Sequence, residues 1–151
     1  MERVPSDDPE AEALGDWVLE HLCHALQLLA SPAQAQVSHF PAGSVVLTDE
    51  MALDFDHWAQ CVSTYWKLSP AQLVQLSRLG AFLSEMSGSR HRDFWTDEAL
   101  PSDPRWEQVR TWAKVALVEL GWPIEIPAPA REDQGMLVDN GSYFLKSRPP
   151  S

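Results

Sequence analysis

Between Met51 and Tyr65 the chain repeats large apolar residues at alternating steps of four and three: Met51, Phe55, Trp58, Val62 and Tyr65. That spacing puts all five on one side of an α-helix, whereas a strand would scatter them over both faces. The pattern predicts a helix over about Asp49–Trp66, with Thr48 as its N-cap. A helix with one apolar side must bury it against other elements.

The rest of the chain supplies partners of the same kind. A first helix is expected from about Glu10 to Ala30, where Leu14, Trp17, Val18, His21, Leu22, Ala25, Leu28 and Leu29 share a broad side. Glu10, Glu12 and Asp16 suit the positive end of its dipole. A third helix follows Ser69, which caps it, with Pro70 in its first position and Gln72 completing a capping box. Leu73, Leu76, Leu79, Gly80 and Leu83 form its expected inner face, Gly80 marks a close approach of another helix, and Gly88 stops it. In "DFWTDEALPSDPRWEQVRTW" (93–112), Thr96–Leu100 makes a short turn that Pro101 ends, and Ser102 or Asp103 caps a fourth helix. Pro104 is pre-set at its first position. Trp106, Val109, Ala113, Ala116, Leu117 and Leu120 make its stripe and Gly121 closes it. Trp112 points away from that stripe and marks either a second buried face or a contact surface.

The expected fold is therefore mainly α: a compact bundle of about four helices with a short C-terminal β-hairpin. Residues 1–9 read as a disordered tail and 10–122 as the helical domain. Residues 123–151 read as a Pro-rich connection, a hairpin turning at Asn140-Gly141 and a loose end, all packing on the helices. Ser31-Pro32 opens a short helical turn, and Val45–Leu47 is a brief strand or an extended connection. At 151 residues a substantial core is possible without metals or disulfides.

Charge narrows function more than motifs do. The net charge is −11. Residues 1–62 hold eleven acids and one base, Arg3, giving −10; residues 63–151 hold eleven acids and ten bases, giving −1. Such a chain repels phosphate backbones and anionic lipid, so neither direct nucleic-acid binding nor membrane adsorption is expected. An acidic face steers basic partners, although net charge also serves simple solubility. No secretory pattern opens "MERVPSDDPEAE", the two cysteines form no CxxC pair, and the expected location is cytoplasmic.

Candidate sites are few. Asp49, Glu50, Asp54 and Asp56 form a dense acidic cluster which, with Trp58 and Trp66 nearby, fits an acidic-aromatic recognition patch; Trp112 is a further candidate contact. The alternative is a polar helix flank with inward tryptophans. Asp54 is placed to orient His57 as a general base, but no nucleophile completes a catalytic set. His21, His24, His57 and Cys61 invite comparison with a zinc site across two helices, yet lack established metal spacing; structural histidines are the simpler reading, and no metal or cofactor is expected. Arg90, His91 and Arg92 follow Gly88-Ser89 without a Walker pattern, and a basic loop pairing with the acidic half is the simpler expectation.

Three functions remain open. The favoured one is a small, acidic, non-catalytic binding protein with the role of a bacterial immunity protein or antitoxin. It would neutralise a basic protein such as a toxin nuclease by occlusion. The others are a structural or adaptor subunit of a larger assembly, and a metal-assisted enzyme built on Asp54 and His57.

Overall fold

The computed structural model describes residues 1–130. It is mainly helical. The elements are β1 (Glu2–Arg3), α1 (Pro9–Ala30), α2 (Ala33–His39), α3 (Leu47–Tyr65), β2 (Trp66–Lys67), α4 (Pro70–Glu85), a 3-10 segment (Ser89–Trp95), α5 (Ala99–Ser102) and α6 (Pro104–Leu120). The four long helices match the four expected stripes. The short α2 and α5 form where the sequence had suggested isolated turns, with Pro101 inside α5 and not ending the turn, and the 3-10 segment forms where a basic loop was expected.

α1 is the hub, packing along α3 on one side and α6 on the other, while α4 packs chiefly on α6. Val18, Leu22, Leu26 and Leu29 of α1 meet Phe55, Trp58 and Val62 of α3 and Val109, Ala113 and Leu117 of α6 in one core. α3 and α4 meet only sparsely. That uneven packing matters for the site below.

Among the long helices, α1, α4 and α6 start on a local side-chain cap and α3 does not. Ser69 Oγ accepts from Gln72 N–H, and Gln72 Oε1 accepts from Ser69 N–H, completing the capping box. Asp103 accepts from Arg105 N–H at the start of α6, and Gly121, at φ 77°, closes it. α3 is the exception. It begins at Leu47, so Val45–Leu47 is not a strand, and Thr48 is buried inside the first turn rather than capping it. Thr48 Oγ1 donates to Trp95 O at 2.7 Å, and the cap comes from far along the chain: Asp97 Oδ1 accepts Leu47 N–H at 3.0 Å. A cap supplied from 50 residues away leaves no local signature.

The tail expected to be disordered is tied down. Glu2 and Arg3 pair antiparallel with Lys67 and Trp66, and Val4 N–H donates to Tyr65 O. Arg3 lies 4.4 Å from the Trp66 ring centre and bonds Asp16 at 2.6 Å. One cation–π and ion-pair anchor therefore orders a segment whose composition alone reads as loose. On the same face Trp66 Nε1 donates to Gly15 O, and a Cβ on Gly15 would come within 3.1 Å of Tyr65 Cβ. Close helix approach thus uses Gly15 and not Gly80.

Two further expectations are corrected. Leu73 is 42% exposed, its place inside taken by Gln72, whose amide reaches Glu119 O. Arg90 and Arg92 stand exposed in the 3-10 segment and form no salt bridge among the described residues. The anticipated hairpin lies outside the described residues. Ile124–Ile126 belongs to no helix or strand and is exposed, and Ala130 N–H donates to His39 O.

Candidate functional site

The aromatic side chains of the Trp-rich stretch 93–112 turn inward. Phe94 and Trp106 are fully buried and stack at 4.3 Å with their planes 5° apart. Trp106 Nε1 donates to Phe94 O, and Trp95 Nε1 to Met86 O. Arg105 clamps Asp103 and Asp93 across the outside of this stack. Trp112 sits edge-on to Phe82 of α4, with the Arg78 guanidinium 5.1 Å from its ring centre. It is half-buried between α4 and α6, so the second-face reading explains it without a partner.

The acidic cluster of α3 divides. Asp54 Oδ1 accepts from the indole of Trp58, which is 2% exposed, so this carboxylate satisfies a buried donor. Trp58 is therefore no part of a surface patch, and Trp66 is occupied by Gly15 and Arg3. Asp49, Glu50 and Asp56 remain on the outer side, Asp56 accepting a hydrogen bond from Gln60. Asp97 joins them by capping α3. Burial, and then the neighbouring Asp97 charge, push the Asp49 carboxyl up; burial and Asp49 do the same to Glu50. No salt bridge among the described residues uses Asp49, Glu50, Asp56 or Asp97.

Beside these acids, where α3 and α4 diverge, lies a cleft of about 460 Å³. Leu53 and Trp95 line it with apolar surface over the buried Ala52, Phe55 and Leu83, and Asp49 and Asp56 line it with charge. Its α4 wall includes Gly80, and among the described residues no atom lies within 4 Å of where a Gly80 Cβ would stand. The sequence signalled Gly80 but pointed to the wrong cause. It gave no sign of Asp97 or of Trp95 in this setting.

The histidines form a row between helices. His21 Nδ1–H donates to Trp17 O, and the ring lies between Trp17 and Trp58 at 4.5 and 4.6 Å. His57 packs edge-on to Trp58, with Nε2 3.9 Å from Cys61 Sγ. His24 lies 5.4 Å from His39. Aromatic rings interleave this row, and among the described residues no three His, Cys, Asp or Glu side chains come together to hold a metal ion. Burial and then His24 lower His39 to about 4, and burial lowers His21 and His24. Burial raises both thiols, Cys23 and Cys61, and so works against thiolate chemistry.

Gln36 and Arg110 are buried polar residues that sequence reasoning missed. Gln36 is fully buried and donates to Leu28 O and Leu29 O at the end of α1, while its Oε1 accepts from Arg110. Arg110 also reaches Leu100 O and Glu107. This network joins α1, α2, α5 and α6. No described helix is long and apolar enough to cross a membrane. Compared with protein-family models, curated proteins and solved structures, the chain matches none.

Proposed function

We propose that this chain is a non-catalytic binding protein that receives a basic protein partner on the outer side of α3 and acts by occluding it. The observation that carries this reading is the run of Asp49, Glu50 and Asp56 along the first half of α3, with Asp97 capping its start, without a Lys or Arg partner among the described residues. The Asp49 and Glu50 carboxyls, pushed up by burial and then by a neighbouring acid, gain from an incoming cation. They also steer a basic partner during encounter. An immunity protein or antitoxin that covers a toxin nuclease is the kind of role this suits, in a cytoplasmic setting. Asp54 and Trp112 are left out of the proposed face because Asp54 satisfies Trp58 and Trp112 packs on α4.

The test is capture from a native host lysate on the full chain, at low and then moderate salt, followed by identification of what is held. A stoichiometric basic protein that salt releases, and that the Asp49→Asn/Glu50→Gln/Asp56→Asn variant fails to hold, supports the reading. A salt-resistant neutral protein that the variant retains replaces it with the adaptor reading. That second reading draws on Val118, Ile124 and Ile126, which are 67%, 51% and 63% exposed.

A further inference from the structure

A glycine inside a helix is expensive without a reason. Relative to alanine it weakens the helix, and the usual reasons are positive φ or a close neighbour. Gly80 has neither among the described residues: its φ is not in the left-handed region, and its missing Cβ faces open space in the cleft. What the missing side chain does provide is depth, since any Cβ would project into the space that Phe55, Leu83 and Trp95 also line. The volume lies within the roughly 300–1,000 Å³ typical of small binding clefts. Apolar walls with Asp49 and Asp56 on the α3 side suit a guest that is apolar at its tip and positively charged beside it.

We infer that the α3–α4 cleft is an anchor pocket for a segment of a protein partner in which a bulky aromatic side chain adjoins a Lys or Arg. The aromatic ring rests on the half-buried backbone of Gly80, against Leu53 and Trp95. The neighbouring cation meets Asp49 or Asp56. Gly88, at φ 102°, shapes the turn beside the cleft, a backbone conformation that side-chain-bearing residues rarely adopt. The inference rests on the proposed function for the partner's basic character, but the pocket is testable without that partner.

The probe is a display library of random dodecapeptides selected on the full chain. Enrichment of sequences with an aromatic residue next to Lys or Arg is expected, and a selected peptide should shift the Gly80 and Gly88 amide resonances. Its affinity should fall by roughly tenfold or more in Gly80→Leu and in Asp49→Asn/Asp56→Asn, as for loss of a hot-spot contact. Gly80→Leu adds a helix-favouring residue facing open space and should stay folded; Ser84→Leu, on the same α4 wall, checks the blockade independently. No enrichment, enrichment of sequences without basic residues, or binding unchanged in both Gly80→Leu and Ser84→Leu overturns the inference. If peptides bind as expected while lysate capture yields no basic protein, the pocket stands and the occlusion reading falls.

Discussion

Two alanine substitutions separate glycine kept for packing from glycine kept for space. Both Gly15 and Gly80 lie inside long helices, in α1 and α4. Each Gly→Ala change gains about 0.8–1.0 kcal/mol of helix propensity. At Gly80 nothing among the described residues lies within 4 Å of the new Cβ, so the gain is kept. For a chain of this size that corresponds to a rise in Tm of about 3 °C. At Gly15 the new Cβ meets Tyr65 Cβ at 3.1 Å, Trp66 Nε1 at 3.3 Å and Arg3 at 3.4 Å. Tyr65 Cβ is fixed to its backbone and cannot swing aside, so α1 and the end of α3 must separate. Overpacking of this kind costs about 1–3 kcal/mol, which cancels or exceeds the propensity gain. It also stretches the Trp66 Nε1 bond to Gly15 O. Urea denaturation of the two variants beside the parent chain reads the difference directly, with Gly80→Ala above the parent and Gly15→Ala at or below it. Destabilisation by Gly80→Ala would refute the reasoning, since it would mean that Gly80 is packed and that the cleft is not open at that wall.

Other outcomes follow from the same structure. Arg110→Met strands Gln36 Oε1 and Leu100 O in the interior, and chemical denaturation should show a loss of about 2–4 kcal/mol. Asp97→Ala removes the remote cap on Leu47 and should cost about 1 kcal/mol, while Asp97→Asn keeps an acceptor and costs less. In the Asn variant an NMR titration should find the Asp49 carboxyl shifted down, part of the way to the ordinary range. Acid should weaken the fold through His39. Its imidazole stays neutral in the folded chain down to about 4, whereas the unfolded chain takes up the proton near 6.5. Stability is therefore intact above 6.5 and falls as pH drops from 6.5 towards 4, by on the order of 3 kcal/mol from this residue. His39→Gln should flatten that acid limb in pH-dependent melts.

What could be read beforehand divides along physical lines. Stripes and local caps were legible because they depend on residues within one or two turns: Met51 through Tyr65, the Ser69–Gln72 box, and Asp103 with Pro104. Interactions that cross the chain were not. The cap on α3 comes from Asp97, the anchor of the N-terminal strand from Arg3 on Trp66, and the end of α1 is satisfied by Gln36. Polar residues in such roles look like surface residues in a sequence. The candidate site shows the same division. The acids of α3 were visible as a cluster, but Asp54 turned out to serve Trp58, and the cleft depends on how far α3 and α4 diverge. No periodicity encodes that distance. Gly80 was noticed and given the role that belongs to Gly15.

The most direct measurement of the central claim is a titration of the captured partner into the full chain and into the Asp49→Asn/Asp56→Asn variant, by calorimetry over a series of salt concentrations. If carboxylates beside the cleft receive a basic partner, affinity falls steeply with salt for the parent chain, and less steeply from a weaker starting point for the variant. Identical affinities and identical salt dependence in the two proteins would contradict it, and would return the charge of α3 to a role in solubility alone.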